Sequence, residues 1–420
     1  MKRIICLLLI CLLLGACSKE ANTPADTTPT EPPYEAQQPT LSPTEPEDPE
    51  QILAYRRDVV EAEMRRCMST LWTPAEDITY LVKETDEEPI TMVAGRIYQG
   101  LPYTHASASA YSFFTYASSQ DEDGVYTISD LTGTSLAGGL LARQGCDCAD
   151  TVLWAWGKVS NSFTSRYTAE LTEAYGIVKV GDYTCDIPKF STTTKPICKE
   201  NGEDVMFAAY AEMQKGDALV LYTKASGGHA VMVVDTLIKY TEDGKIDGDN
   251  SYAIIIEQQP ASQRELASYY NEEIQKTVYI CGAVDSYWTF NTLFSKGYMP
   301  VTCKELVDPS PLDKESVSFS HTDATMDTLH QTSVNASHRI AYVTITISKN
   351  DQVVQQATAY GKESSYRQFS MYAFFDPLEQ EVMRGTLDLD SLKSGNYHCT
   401  ISCRLATGNT HTVHEFDFKK

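Results

Sequence analysis

The sequence predicts an α+β core, in which an antiparallel sheet packs on helices, followed by a C-terminal immunoglobulin-like β-sandwich. Apolar side chains recur at helical spacing from residue 50 to 71, which predicts an amphipathic helix. Short apolar runs at 218–222, 229–235 and 252–257 predict three strands. Over residues 315–420, runs of alternating apolar and polar residues are separated by turns, as is typical of a β-sandwich.

Residues 1–16 have the features of a bacterial lipoprotein signal peptide. A basic start precedes an apolar run over residues 4–14, which is too short to span a bilayer comfortably. The segment Leu14-Gly15-Ala16-Cys17 resembles the bacterial lipobox, in which the chain is cleaved before the cysteine and the cysteine is lipidated. We therefore expect lipid on Cys17 to anchor the secreted chain to the outer face of the cytoplasmic membrane, at the cell surface.

A polar segment follows the expected lipidation site. Residues 17–50 are rich in Pro, Thr and Glu and have almost no large apolar side chains. Such a segment cannot bury enough apolar surface to fold, and its prolines favour extended geometry. We expect a disordered tether that lifts the folded part of the chain off the membrane.

The charge of the chain restricts its partners. The formal net charge is -23 at pH 7, and the lysines and arginines form no cluster in the sequence. Binding of nucleic-acid phosphates needs clustered cations, so we expect no nucleic-acid partner.

The remaining chain divides by its patterns into three parts. They are a helical lead-in over 51–89, a core domain over 90–308 and the β-sandwich over 315–420. Within the expected sandwich, two pairs of strands are predicted at 341–348 with 352–360 and at 395–403 with 412–418.

Cys148 has the sequence context of a catalytic nucleophile. It stands at the start of an apolar segment in which Val152, Leu153 and Trp156 share one helical face. The N-terminus of a helix favours the thiolate, which is the reactive form of a cysteine. Cys146 lies two residues earlier and is the alternative nucleophile.

His229 is the candidate general base. Residues 90–302 contain two histidines, and His105 lies in a polar stretch without a strand pattern, whereas His229 begins the most apolar strand of the core. The preceding pair Gly227-Gly228 is expected to let backbone approach closely. An imidazole beside a thiol can activate it and later protonate the leaving amine.

A third polar group would hold the imidazole in the correct orientation, and Glu257 and Gln258 are the candidates. Adjacent residues in a strand point to opposite faces, so one of the two can face His229. Glu257 ends the apolar run and is preferred, and Gln258 remains the alternative.

These motifs resemble, in the same order, those of NlpC/P60 cysteine peptidases. Tyr98-x-Gly100-x-Pro102-Tyr103 is similar to the family's Gly-x-Pro-Tyr segment, and Asp147-Cys148-Ala149-Asp150 stands where the family has Asp-Cys-Ser-Gly. The segments 215–220 (Lys-Gly-Asp-Ala-Leu-Val) and 228–233 (Gly-His-Ala-Val-Met-Val) resemble its Gly-Asp-Leu turn and His-Val-Gly-Ile strand. The resemblance implies a papain-like α+β fold, hydrolysis of amide bonds in peptidoglycan peptides, and a Tyr103 hydroxyl near the nucleophile.

The sequence also departs from the family, and other functions stay open. Ala149-Asp150 replaces Ser-Gly, no Trp-Gly-Gly follows Tyr103, and Cys148 and His229 lie further apart in sequence than is usual. These departures concern substrate specificity more than chemistry. The alternatives are a catalytically inactive binding or scaffold lipoprotein of the cell surface, and an amidase that acts on a substrate outside the wall.

Neither a metal ion nor a cofactor is expected. Cys146 and Cys148 have the spacing of two metal ligands, but zinc sites usually need a second close pair of Cys or His. No such second pair occurs in the sequence of the core.

Overall fold

The structure is a computed structural model. It describes residues 48–81, 89–104, 113, 117–129, 132–134, 140–142, 145–160, 176–185, 193–223, 227–258, 266–360, 367–376, 384–385 and 387–420. The expected signal peptide, the lipidation site Cys17, the tether up to residue 47 and His105 lie outside these residues. No helix within the described ranges is long and apolar enough to cross a membrane.

The described helices are few and mostly short. They are α1 (Pro49–Ser69), α2 (Cys148–Trp156), α3 (Thr194–Asn201), α4 (Glu203–Ala211) and α5 (Phe290–Lys296). Single 3-10 turns occupy Lys304–Leu306, Leu329–Gln331, Met371–Phe374 and Leu389–Ser391.

The predicted lead-in helix is present, but its bounds differ from those expected. Asp48 caps α1, because its Oδ1 accepts hydrogen bonds from the backbone N–H groups of Glu50 and Gln51. The last residues of the expected tether therefore belong to the helix. The helix ends at Ser69 and strands follow it, so the expectation of a helical segment over 51–89 is wrong for the described residues 70–81 and 89.

The strands are numbered in chain order. The first sixteen are β1 (Leu71–Pro74), β2 (Ile78–Tyr80), β3 (Ile90–Met92), β4 (Ile97–Gln99), β5 (Ala117–Gln120), β6 (Tyr126–Ile128), β7 (Thr132–Thr134), β8 (Leu140–Ala142), β9 (Ile177–Lys179), β10 (Ala218–Thr223), β11 (Gly227–Leu237), β12 (Tyr252–Gln258), β13 (Ser268–Asn271), β14 (Lys276–Ile280), β15 (Gly282–Thr289) and β16 (Met299–Cys303). The last eight are β17 (Val317–Phe319), β18 (Ser333–Ala336), β19 (Ile340–Lys349), β20 (Gln352–Tyr360), β21 (Gln368–Ser370), β22 (Arg384–Gly385), β23 (Asn396–Leu405) and β24 (Thr410–Lys419).

A six-stranded antiparallel sheet forms the centre of the core, in the order β15-β12-β11-β10-β16-β9. It contains the three strands predicted from the sequence. Alternate residues of β10 face opposite sides: Ala218 and Val220 join one hydrophobic cluster with α1 and α2, whereas Leu219 joins another with α3, α4 and α5. The sheet therefore has helices on both faces, and the coarse prediction of an antiparallel sheet packed on helices is confirmed.

A second six-stranded sheet, in the order β13-β14-β4-β1-β6-β5, was not predicted from the sequence. Its strands come from both ends of the core domain. For example, Val278 of β14 pairs in parallel with Ile97 of β4. Trp72, Tyr98 and Ile128 of this sheet share the cluster of α1 and α2, whereas Ile97 and Val278 belong to a small separate cluster. Helix α1 is therefore part of the core rather than a separate lead-in.

The C-terminal region contains a three-stranded sheet, β17-β18-β21, and a five-stranded sheet, β22-β20-β19-β23-β24. The two predicted strand pairs are present as β19 with β20 and β23 with β24. Both sheets contribute to one hydrophobic cluster of their own. The region also packs on the core: Ala341 and Ala406 join the cluster of α2, and the Arg339 guanidinium lies 5.0 Å from the centre of the Trp154 ring.

Candidate active site

Cys148 is the first residue of α2, as the sequence predicted. Asp147 caps this helix, with its Oδ1 accepting a hydrogen bond of 2.8 Å from the backbone N–H of Asp150. The turn before it needs glycine, because Gly145 has a φ of +142° and an added Cβ would lie 2.1 Å from the carbonyl oxygen of Pro102. The cap and the turn together fix where the sulfur lies.

Helix α2 is tied to its surroundings by side-chain hydrogen bonds. Trp156 donates to the carbonyl oxygen of Gly216 at 2.7 Å, and Trp154 donates to Glu63 of α1 at 2.6 Å. Every residue of α2 is buried. The position of the Cys148 thiol at the start of this helix is therefore well defined.

His229 lies near the start of β11, and Glu257 lies in the neighbouring strand β12. Nε2 of His229 lies 3.0 Å from Oε2 of Glu257. The imidazole also interacts with the thiol of Cys148, and this interaction contributes to the raised pKa of His229. The structure therefore brings together the three residues that the sequence singled out as nucleophile, base and preferred orienting group.

The electrostatic surroundings of His229 favour its protonated form. Burial disfavours the imidazolium, but the hydrogen bonds with Cys148 and then with Glu257 outweigh burial and raise the pKa of His229 from 6.5 to about 9. Because the side chain keeps 19% of its surface exposed, it remains accessible to a bound molecule. At neutral pH the site therefore holds an imidazolium beside the Glu257 carboxylate.

The glycine pair before His229 has a different role from the one expected. Gly227 has a φ of +74°, and an added Cβ there would meet no atom within 4 Å. Glycine is therefore favoured at position 227 because its backbone has the left-handed conformation, and not because another chain segment approaches it closely.

Gln258 points away from His229. Its Nε2 donates to the carbonyl oxygen of Leu101 at 2.6 Å, and its Oε1 accepts from the hydroxyl of Thr151 at 3.1 Å. Gln258 thus connects α2 to the segment before Tyr103, while Glu257 is the residue in contact with the imidazole.

Tyr103 and Cys146 both lie near Cys148, but in different environments. The Tyr103 hydroxyl donates towards Sγ of Cys148 at 3.8 Å, and burial followed by the charge of Cys148 raises the pKa of Tyr103, so the hydroxyl keeps its proton. Cys146 is 2% exposed, and burial followed by Cys67 raises the pKa of its thiol well above the usual value. The geometry therefore favours Cys148 over Cys146 as the reactive thiol.

Two aromatic residues near the site were missed by the sequence reasoning. The ring of Trp288, in β15, lies 6.3 Å from the ring of His229 and 5.2 Å from that of Tyr298. Burial, followed by the charges of Glu257 and Cys148, raises the pKa of Tyr298. Neither residue belongs to a local motif, and both are far from His229 in sequence, so only the folded chain shows that these rings are close to one another.

The Lys-Gly-Asp turn (residues 215–217) does not line the site but supports it indirectly, through contacts with α1. Asp217 is buried, accepts a hydrogen bond of 2.7 Å from the backbone of Gln214, and pairs with Arg57 of α1 at 2.8 Å. This pair joins α1 to the start of β10, next to the strand that contains His229.

Comparison with known proteins leaves the geometry as the main guide to function. No protein-family model matches the sequence. No curated protein matches it either.

Proposed function

We propose that this chain is a cysteine hydrolase that cleaves amide bonds through Cys148, His229 and Glu257. One observation carries the proposal: Nε2 of the His229 imidazole lies 3.0 Å from Oε2 of Glu257, and the same imidazole interacts with the thiol of Cys148, which raises its pKa. A positioned nucleophile, an adjacent base and a third group that orients the base are the minimal arrangement for acyl transfer.

In the proposed reaction, Sγ of Cys148 attacks the carbonyl carbon of the amide, and a C–S bond forms. The C–N bond then breaks as the His229 imidazolium gives its proton to the leaving nitrogen, which departs as an amine and leaves a thioester. Neutral His229 next accepts a proton from water, whose oxygen attacks the thioester. The C–S bond then breaks, the carboxylic acid product leaves, and the Cys148 thiolate and the His229 imidazolium, which carries the proton taken from water, are restored.

The same proposal includes the detailed fold of the two parts of the chain and the class of substrate. A helix that begins with the nucleophile and packs on an antiparallel sheet containing the base is the arrangement that a papain-like, NlpC/P60-like core implies. The two C-terminal sheets around one cluster support an immunoglobulin-like sandwich. From the resemblance we propose peptidoglycan peptides as substrate, cleaved by an enzyme anchored through lipid on Cys17.

The test compares the purified chain with Cys148→Ala and with Cys146→Ala as a matched control. We expect Cys148→Ala to release no fragments from wall peptides in a mass-spectrometric assay, while Cys146→Ala, if its circular dichroism is unchanged, retains turnover. Iodoacetamide should label Cys148 preferentially, because all described cysteines are buried but Cys148 interacts with the His229 imidazolium, which favours the reactive thiolate.

Each contrary result has a defined meaning. An active Cys148→Ala variant with label on Cys146 would identify Cys146 as the nucleophile. Cleavage of a simple amide without cleavage of any wall peptide would identify an amidase with another substrate. An unlabelled, inactive chain would be the inactive surface lipoprotein.

A further inference from the structure

The C-terminal region contacts the helix that begins with Cys148. Arg339, directly before β19, places its guanidinium 5.0 Å from the centre of the Trp154 ring in α2. Ala341 of β19 and Ala406, directly after β23, lie in the same hydrophobic cluster as the buried residues of α2. Helix α2 therefore packs against the C-terminal region as well as against α1 and the central sheet.

The Trp154 side chain connects three parts of the molecule. Its Nε1 donates a hydrogen bond of 2.6 Å to Glu63 of α1, while the Arg339 guanidinium from the C-terminal region lies over its ring. The ammonium of Lys158, which belongs to the core itself, is a second cation at this ring, 5.5 Å from its centre. Because Trp154 is only 1% exposed, the attraction between the guanidinium and the ring is stronger than at an open surface.

The Arg339 guanidinium is also close to the turn that precedes Cys148. Burial raises the pKa of the Cys146 thiol, and the charge of Asp150 raises it further, whereas the charge of Arg339 lowers it. Asp150 lies four residues before Trp154 in α2, so the two side chains are on the same side of the helix. The sequence departs from the NlpC/P60 motif at Asp150, and this departure places a carboxylate on the side of α2 that the Arg339 cation approaches.

The C-terminal region itself fixes the backbone of Arg339. The carbonyl oxygen of Arg339 accepts a hydrogen bond of 2.8 Å from the backbone N–H of Ala406. The segment that enters this region from the core is held at the hairpin between β23 and β24, where Glu315 accepts a hydrogen bond of 3.0 Å from Asn409 and lies 2.8 Å from Nε2 of His411. The cation over Trp154 is therefore supplied and held from outside the core.

We propose that Arg339 is a positioning residue for Cys148, so that the C-terminal region forms part of the catalytic unit. The inference rests on the proposed function, because it concerns the reactivity of the proposed nucleophile. Backbone hydrogen bonds connect successive turns of α2, so a displacement at Trp154 is passed on to Cys148, six residues earlier. A displacement of about 1 Å in a catalytic group can cost roughly 100-fold in rate. Arg339 thus acts through the helix and touches no substrate.

The experiment measures the rate at which iodoacetamide labels Cys148 in the purified full chain, with the label located by mass spectrometry. Arg339→Met removes the cation from the ring, and Arg339→Lys keeps a cation there. Arg404→Met is the matched control, because Arg404 is a partly buried arginine of β23 that donates to Thr410 within the C-terminal region. All rates are measured well below the melting temperature of each variant, which separates positioning from loss of the fold. Should Arg339→Met not fold, Arg339→Gln gives the same comparison.

We expect labelling of Cys148 to be about three- to tenfold slower in Arg339→Met, the range that corresponds to loss of one buried contact between a cation and a ring. Arg339→Lys and Arg404→Met should label at close to the wild-type rate. Equal rates in the wild type and Arg339→Met overturn the inference, and so does an equal loss of rate in Arg339→Lys or Arg404→Met, which would show a general effect on packing. A wild-type chain whose Cys148 is not labelled would overturn the proposed nucleophile, and this inference with it.

Discussion

Replacement of Glu257 by Gln tests the proposed catalytic arrangement most directly. The change keeps the size of the side chain and a possible hydrogen bond to His229, but removes a negative charge 3.0 Å from Nε2. The rise in the pKa of His229 from 6.5 to about 9 corresponds to roughly 3 kcal/mol in favour of the imidazolium. Cys148 and Glu257 are the two partners that produce this rise against the effect of burial.

If Glu257 supplies about half of that stabilisation, its removal lowers the pKa of His229 by roughly one pKa unit, or about 1.4 kcal/mol. The leaving amine needs the proton of the imidazolium, so activity should fall as pH rises through the pKa of His229. We expect the basic limb of kcat/KM, which reports the loss of this proton, to lie near pH 9 in the wild type. It should lie about one pH unit lower in Glu257→Gln.

The same shift affects folding stability. A histidine whose pKa is raised on folding stabilises the folded chain fully below its unfolded pKa of 6.5, and this contribution is lost as pH rises through about 9. The free energy of unfolding of the wild type should therefore fall across this window by more than that of Glu257→Gln. The assays are pH-rate profiles and urea titrations, with the exposed Glu212→Gln as the matched control. Identical basic limbs in the wild type and Glu257→Gln would refute the assigned role of Glu257.

Three further predictions concern the buried ion pair of Asp217, the lipid anchor on Cys17 and the independent folding of the C-terminal region. Arg57→Met leaves Asp217 buried without its ionic partner and should lower the free energy of unfolding by about 3–5 kcal/mol. Arg65→Met removes a more exposed ion pair and should cost at most about 1 kcal/mol in the same urea titration, so equal losses would contradict the buried pair as a support. Cys17→Ala should move the protein from the membrane to the soluble fraction on cell fractionation, and unchanged membrane association would rule out the lipid anchor. The fragment 315–420 should give a β-type circular dichroism spectrum, because its two sheets share a cluster of their own; a random-coil spectrum would show that it needs the core.

The sequence by itself determined the elements that depend on local pattern. Alternation and apolar runs located β10, β11 and β12 to within about two residues, and the apolar face after Cys148 located the start of α2. The same reasoning identified His229 as the candidate base, because few histidines occur in the core and His229 lies near the start of a predicted strand. These features could be predicted because each is encoded within a few consecutive residues.

Only the tertiary structure decided which residues meet across the site. Strand alternation showed that one of Glu257 and Gln258 could face the imidazole, but the choice depends on how β12 pairs with β11. The Trp288 ring lies 6.3 Å from the His229 ring although the two residues are far apart in sequence. The sheet that joins β4 to β14 was missed for the same reason. Strand pairing between distant segments depends on burial and register in the folded chain, and neither is encoded in the local sequence of a three-residue strand.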